Sequence, residues 1–424
     1  MKIRAVDGCE ELGHQEMLST PLFYIAGPGD KLVLLDNTYK FNVATYRPDV
    51  EPRWIYTYTY APDQSWTIYN HDLSGDTYRQ EDYTFSNSLY FRVCLRKVSG
   101  DVFDGAENIN DILELHTEPE PEKECPSRIS TEAGHVLHRV REISEPGDKK
   151  FILMTDTHYN VNGTWGDTLN ALNQISREIE FDGLIHLGDM TDGMVTGDAT
   201  RHYVKKIMSD ISQLGIPVWM TLGNHDANYF NNNPERFSIK QQRELYYNGN
   251  EMRYHVDIPG LRLIFLDSFD PDEELRYGHS RECILWLEQV LDKTPDSSNI
   301  IIFSHMPPLT RLQFWAKEIR GEKEITEVLN RYRNKLIAWI NGHNHADKLD
   351  NDEGYPIISI VNAKCEAFTE HKTEGFITPD RKLDDITQEA FDILIVNTEK
   401  KKTRFIRFGA GGDRIVTNGK ALWV

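Results

Sequence analysis

The chain has 424 residues, 39% of them hydrophobic and 11% aromatic, more than one hydrophobic core commonly supports, so two domains are expected. Its formal charge of −20 argues against duplex nucleic acid as a partner, because polyanions are held through Lys and Arg clusters. No apolar run approaches the ~20 residues that a membrane helix needs.

The first eight residues carry charge where a secretory signal would carry an apolar block, so the expected location is cytoplasmic, with no membrane span. Five cysteines, Cys9, Cys94, Cys125, Cys283 and Cys365, lie scattered without C-x-x-C pairing. They read as buried free thiols rather than a disulfide framework or a thiolate zinc site.

Residues 1–115 hold short segments rich in aromatic and β-branched residues, at 31–35, 39–46, 54–60, 65–69 and 89–95, separated by turn clusters such as 27–30 and 74–76. This patterning predicts an all-β N-terminal domain of the β-sandwich or jelly-roll kind. Trp54, Tyr56, Tyr58 and Trp66 could offer ring faces to a glycan or a protein partner, but strands of a small core are enriched in such residues anyway.

Residues 116–128 carry three prolines and an acidic bias, the composition of a stiff, solvated linker. A short helix over 130–145 should follow, capped by Ser130 or Thr131, with Val136, Leu137, Val140 and Ile143 on one side. The linker and helix together occupy 116–147, and the second domain occupies 148–424.

From Phe151 onward, near-continuous apolar runs alternate with amphipathic segments such as 168–179 and 204–214. That pattern predicts α/β sheets covered on their outer faces. Five runs end in residues able to ligate a cation: Asp156 and His158 after 151–155, Asp189 after 184–188, Asn224, His225 and Asp226 after 216–223, His305 after 300–304, and His343 and His345 after 336–342.

Ligands gather beyond the carboxyl ends of strands in such sheets. If the strands continue extended, Asp156 and His158, two apart, point the same way. Two carboxylates, four imidazoles and one amide are too many donors for one four-coordinate ion and suit two cations; nitrogen and oxygen without sulfur favours Mn, Fe, Zn, Co or Ni over Ca or Mg. A pair of ions clamps the attacking and leaving oxygens of an in-line displacement at phosphorus.

The succession Asp156-x-His158, Gly188-Asp189, Gly223-Asn224-His225-Asp226, His305 and Gly342-His343-x-His345 resembles the calcineurin-like metallophosphoesterase family over roughly 148–424. The resemblance implies a two-sheet αββα sandwich. It also implies that Asp156, His158 and His345 hold one ion, that Asn224, His305 and His343 hold the other, and that Asp189 bridges them. Mn, Fe or Zn are the metals it favours. His225 would then be the catalytic residue beside the phosphoryl group, with Asp226 oriented against it.

Residues 190–194 lack the arginine that protein Ser/Thr phosphatases of the family place after this block, and no tyrosine stands where the purple acid phosphatases place theirs. The expected activity is hydrolysis of a small phosphoester, mono- or diester, by a hydroxide bridging the ions. The alternative is a glycan- or partner-binding protein of adhesin or phage-structural type with a secondary phosphoesterase domain.

Several further residues carry smaller expectations. His186, inside an apolar run, reads as a hydrogen-bonded core histidine, and Asp267 as structural. Tyr159, Asn160, Asn228, Tyr229 and Phe230 flank the motifs and could shape a pocket. Residues 391–396 and 403–408 read as a closing hairpin, and the glycine-rich 409–414 as a flexible turn rather than a nucleotide-binding loop.

Overall fold

The computed structural model describes residues 2–3, 10–11, 18–19, 24–26, 29–46, 80–85, 89–103, 107, 109–116, 125–159, 164–230, 233–365 and 375–424. The chain forms two compact units. The first comprises Met1–Lys123, Asn160–Asn162 and Met194–Ala199, and the second comprises Glu124–Tyr159, Gly163–Gly193 and Thr200–Val424. The aromatic segments at 54–60 and 65–69 fall outside the described residues.

The first unit is strand-rich. Its strands are β1 (Lys2–Ile3), β2 (Glu10–Glu11), β3 (Leu18–Ser19), β4 (Tyr24–Ala26), β5 (Lys31–Leu34), β6 (Tyr39–Tyr46), β7 (Tyr83–Thr84), β8 (Leu89–Lys97) and β9 (Leu113–His116), with a 3-10 turn at Ile109–Asp111. β8 is flanked by β3 and β4 and also pairs with β6, while β5 lies between β7 and β9; every pairing is antiparallel. Burial follows the two-residue period of a strand: Phe41 and Val43 on β6, and Phe91, Val93 and Leu95 on β8, are buried against Leu32, Phe85, Ile112 and Leu113.

The second unit opens with helix α1 (Ser127–Ile143), which starts three residues earlier than its capping pattern suggests, behind Pro126 rather than a Ser or Thr cap. Pro126 tolerates the position because the first helical turn has no partner to lose there. Ile129, Ala133, Val136 and Val140 form the buried face of α1. The helix is packed inside this unit on α2 (Trp165–Ser176) and on a C-terminal strand, so the segment expected as linker plus helix is partly core.

Two seven-stranded sheets follow. One runs β12 (Val218–Met220), β11 (Gly183–His186), β10 (Lys149–Met154), β20 (Ala390–Asn397), β21 (Lys402–Gly409), β22 (Arg414–Thr417), β23 (Lys420–Trp423). The other runs β13 (Tyr254–Ile258), β14 (Leu261–Phe265), β15 (Asn299–Ser304), β16 (Leu336–Asn341), β18 (Ile357–Ser359), β17 (Asp347–Asp350), β19 (Phe376–Ile377).

β10, β11 and β12 are parallel, as are β14, β15, β16 and β18. The expected hairpin is present as β20 and β21, but it lies in the middle of the first sheet, with β20 antiparallel to β10.

One apolar cluster fills the space between the sheets, drawing Phe151, Leu153 and Ile185 from the first and Leu263, Phe303 and Ile340 from the second. Another joins the outer face of the second sheet to α5 (Arg281–Asp292) and α6 (Glu322–Tyr332) through Leu287, Leu291, Ile325 and Leu329. α3 (Gly197–Ser212) and α4 (Ile239–Tyr247) complete the α-helices among the described residues. Strands buried on both faces have no polar side to show, which is why their sequences read as continuous apolar runs.

A charged group is built into this core. Arg407 donates to Asp347 Oδ1 at 2.8 Å and to Asp392 Oδ1 at 2.9 Å, and Arg414 donates to Asp347 Oδ1 at 2.5 Å and pairs with Asp392. All four side chains are at most 1% exposed. The glycine-rich 409–413 segment is therefore no free turn: it returns the chain so that Arg414 re-enters the core. Arg407→Met should destabilise the protein by about 3–5 kcal/mol, because two buried carboxylates lose a partner; the midpoint of urea unfolding reads this out.

Glu389 gives the second stability prediction. It is fully buried, meets Thr168 Oγ1 and accepts from Gln388 Nε2 at 2.7 Å, and burial pushes its pKa up to about 7 from an ordinary 4.5. Between those values the folded state holds a proton that the unfolded chain has released, so stability falls as pH rises from about 4.5 to about 7. The loss is about 3 kcal/mol at 1.36 kcal/mol per unit. Glu389→Gln mimics the protonated form, and its unfolding free energy should lose this part of the pH dependence.

Candidate metal centre

Seven side chains from the ends of β10, β11, β12, β15 and β16 converge at one edge of the second unit. Asp156, His158, Asp189, Asn224, His305, His343 and His345 are all at most 4% exposed. Two of their groupings place donor atoms within 4.8 Å of one another: Asp156 with His158 and His345, and Asp189 with His305 and His343.

In the first grouping, His345 Nε2 lies 3.2 Å from Asp156 Oδ1 and 3.2 Å from His158 Nε2. In the second, His305 Nε2 lies 3.1 Å from Asp189 Oδ2 and 3.2 Å from His343 Nδ1. Asp189 Oδ2 is also 3.8 Å from His158 Nε2, which puts this oxygen between the groupings.

The strands do not continue extended through the motifs. Asp156, His158, Asp189, His343 and His345 all have left-handed backbone, with φ of 50°, 40°, 54°, 71° and 51°. Asp156 and His158 therefore converge by a coil of the loop and not by the alternation of a strand. Such conformations cost of order 1–3 kcal/mol each and persist where the surroundings over-determine them.

Glycines make the closeness feasible. A Cβ on Gly342 would strike Thr155 Oγ1 and Asp156 Oδ2, and one on Gly223 would strike the Asp189 carboxylate.

The protein's own hydrogen bonds leave selected atoms bare. Asp156 Oδ2 accepts from Thr155 Oγ1 at 2.5 Å and from the His343 N–H at 3.1 Å, while Oδ1 has no hydrogen-bond partner among the described residues. Asn224 Oδ1 is likewise buried and unpartnered. Asp189 Oδ1 accepts from the His225 N–H at 2.8 Å, freeing Oδ2, and His305 Nδ1 donates to the Leu187 carbonyl at 2.8 Å, freeing Nε2. A buried acceptor without a donor costs roughly 1–3 kcal/mol. Cations between the groupings would remove that cost, so the donor set fits metal ions.

The electrostatics point the same way. Burial raises and the His305 and His345 rings lower the Asp156 carboxyl, which ends well below the usual range, and Asp189 is also held low. Burial alone would depress His158, yet Asp156, Asp192 and Asp189 carry its pKa up to about 10; Asp189 and Asp156 carry His305 up to about 9. The carboxylates thus favour positive charge on His158 and His305, whereas burial and the His305 ring push His343 well below the usual imidazole range.

His225 differs. Burial dominates its environment and brings its pKa down to about 4. Its Nδ1 donates to the Asp192 carbonyl at 2.6 Å, its Nε2 is 4.0 Å from Asp189 Oδ2, and Phe230 stacks on its face at 4.3 Å. His158, Asp189 and His225 also bring donor atoms within 4.8 Å of one another, so His225 borders the centre.

Asp226 is not the group that orients this ring. Its carboxylate accepts the backbone N–H groups of Asp189, Met190 and Gly223 at 2.8, 2.9 and 2.8 Å. It ties the β11 and β12 loops together.

Other expectations resolve individually. His186 has both ring nitrogens engaged, with the Gly188 N–H at 3.1 Å and Thr157 Oγ1 at 2.7 Å, as a core histidine. Asp267 is 3.7 Å from Arg253, and its carbonyl accepts from His279. Tyr229 and Tyr277 share a hydroxyl–hydroxyl bond of 2.8 Å, and the Tyr277 ring lies 5.6 Å from that of His343. Asn228 is spent on Thr200 and the Glu235 carbonyl, Tyr159 packs on Tyr203, and Asn160 lies outside the described residues.

Sequence reasoning missed Asp192 and Lys364, which meet at 3.2 Å beside His158. Asp192 offered a signal, a second carboxylate three residues past Asp189. Lys364 offered none. Cys94, Cys283 and Cys365 are buried, Cys125 is only half-buried and Cys9 lies outside the described residues. No helix among the described residues is long and apolar enough to cross a membrane.

An α/β sandwich whose loops gather carboxylates, imidazoles and an amide around one buried locus defines the class. The comparison that bears on the particular family is a match of residues 149–347 to the family described as calcineurin-like phosphoesterase.

Among curated proteins it is 26% identical over 169 residues to one named probable glycerophosphodiester phosphodiesterase GpdQ, from Arcobacter nitrofigilis, covering 39% of this chain and 56% of that one. It is also 24% identical over 225 residues to the uncharacterized protein YvnB of Bacillus subtilis, covering 49% of this chain and 16% of that one. The chain thus spans little more than half of the first relative and a sixth of the second. Among solved structures, a dimetal phosphatase from Danio rerio is similar at 17% identity with a TM-score of 0.48, covering 63% of this chain and 98% of that one.

Proposed function

We propose that the protein is a metal-dependent phosphoester hydrolase acting on a small phosphodiester or phosphomonoester. One observation carries the reading: Asp189 Oδ2 lies between two groupings of buried donors, 3.1 Å from His305 Nε2 and 3.8 Å from His158 Nε2. In this reading Asp156, His158 and His345 hold one cation, Asn224, His305 and His343 hold a second, and Asp189 serves both. Mn, Fe and Zn suit the mixed nitrogen and oxygen donors. When bound, such ions lower the pKa of coordinated water and neutralise charge developing at phosphorus.

The chain's own residues supply the rest. His225 presents Nε2 to the site, because Nδ1 is occupied by the Asp192 carbonyl. An anionic phosphoryl group next to this nitrogen favours the charged ring and lifts its pKa from the lowered value, so that it can donate to the departing oxygen. Phe230 keeps one face of the ring from water and fixes its plane.

The name of the Arcobacter nitrofigilis relative brings glycerophosphodiesters onto the substrate panel. The N-terminal unit is proposed as a β-sandwich accessory domain.

The test is an elemental metal count on the full chain, paired with hydrolysis of p-nitrophenyl phosphate, bis-p-nitrophenyl phosphate and glycerophosphodiesters. Two equivalents of transition metal and a hydrolysis rate abolished by chelation are expected. One equivalent or none in metal-replete protein would overturn the two-ion reading.

A further inference from the structure

Asp192 is the joint on which two differently tasked histidines rest. Its Oδ1 lies 3.2 Å from His158 Nδ1, and its backbone carbonyl accepts from His225 Nδ1 at 2.6 Å. The rings stand edge to face with centroids 4.7 Å apart, and each directs Nε2 toward Asp189 Oδ2, at 3.8 and 4.0 Å. Asp192 thus faces Nδ1 of both rings: its carbonyl takes the His225 Nδ1 hydrogen, which leaves the lone pair on Nε2, and its carboxylate stands at ion-pair distance from His158. The difference lies in what each receives. His158 faces a carboxylate, which strengthens it as a donor to a cation; His225 faces a neutral carbonyl, which does not.

The Asp192 side chain is buried, 5% exposed. Lys364 holds it, with Nζ 3.2 Å from the same Oδ1. Lys364 comes from the loop after β18 and is anchored at its backbone: its N–H donates to the Asp156 carbonyl at 3.2 Å, and the neighbouring Ala363 N–H donates to the Thr155 carbonyl at 2.8 Å. Arg381 ties the carbonyls of Asn362 and Ala363, at 3.0 and 3.1 Å, to those of Thr387 and Gln388, both at 2.6 Å. The ammonium group is thus delivered from a fixed platform.

We infer that Lys364 is a positioning residue of the metal centre: acting through Asp192, it orients His158 and sets the affinity of the cation that His158 helps to hold. The inference rests on the metal-dependent reading above.

The experiment is a competition titration of Mn2+ against a fluorescent chelator, using the full-length chain stripped of metal, with thermal unfolding measured in parallel. The chains compared are wild type, K364M, K364R, D192N and the double variant K364M/D192N. K364M and D192N should each weaken one Mn2+ site about 10–100-fold, leaving the other within about threefold, and K364R should keep both sites near wild type. In the D192N background, K364M should add less than about twofold, since the lysine acts only through the carboxylate.

Wild-type affinities in K364M or D192N, or effects that multiply in the double variant, overturn the inference. If K364M does not fold, D192N weakening one site while K364R preserves it still supports the inference, and D192N with unchanged sites still overturns it. Wild type holding two Mn2+ with K364M unaffected sinks this inference alone; wild type holding none sinks the function reading with it.

Discussion

Asp189→Asn should lose both metal and activity, the largest single effect expected of this protein. Asp189 divides its carboxylate: Oδ1 accepts the His225 N–H at 2.8 Å, and Oδ2 faces His305 and His158. An asparagine keeps the size and can keep one acceptor, but it removes the negative charge from the point between the two donor groupings.

The remaining candidate ligands would then present one buried carboxylate, Asp156, to two cations, and metal affinity should fall steeply at both sites. Metal-ion catalysis is worth several kcal/mol, so turnover of an aryl phosphoester should drop by roughly 10³-fold or more at 1.36 kcal/mol per tenfold. Elemental analysis and rate should fall together. A variant that keeps two equivalents of metal and wild-type turnover would remove Asp189 from the centre.

His225→Ala should separate the two readouts. The ring is buried, its Nδ1 is committed to the Asp192 carbonyl, and its backbone N–H, which holds Asp189 Oδ1, survives the substitution. Metal content should therefore stay near wild type while kcat falls by about 10²–10⁴-fold, the usual contribution of a positioned proton donor.

His225→Gln offers an internal comparison, since an amide can donate a hydrogen bond but cannot release a proton: it should recover part of the loss if electrostatic stabilisation dominates, and none if proton transfer does. Full activity in His225→Ala with two ions bound would exclude the ring from the chemistry. Loss of metal in that variant would instead make His225 a ligand, in the grouping it forms with His158 and Asp189.

The seven donors were readable as residue types because each follows an apolar run long enough to be a strand. A polar group just past such a run needs a partner, and this need is visible before any coordinates are. What misled was local geometry. The two-residue spacing of Asp156 and His158, and of His343 and His345, invited an extended reading, whereas all four residues coil through left-handed backbone. Periodicity describes a strand and stops describing the chain where the strand ends.

Asp226 misled for a related reason. Adjacency to His225 suggested a pair, but a carboxylate surrounded by three backbone N–H groups from two loops serves those loops.

By itself the amino-acid sequence determined the α/β character of residues 148–424, the strand ends that carry the candidate ligands, and the identity of those residues, because hydrophobic patterning and ligand type are properties of short stretches. The tertiary structure decided which oxygen of Asp156 is left bare, that β20 separates β10 from β21, that Arg407 and Arg414 share Asp347 and Asp392 in the core, and that Lys364 stands behind Asp192. Each of these is a meeting of residues far apart in the chain, set by how two sheets and their loops close on one another, and no local pattern records where a distant side chain will arrive.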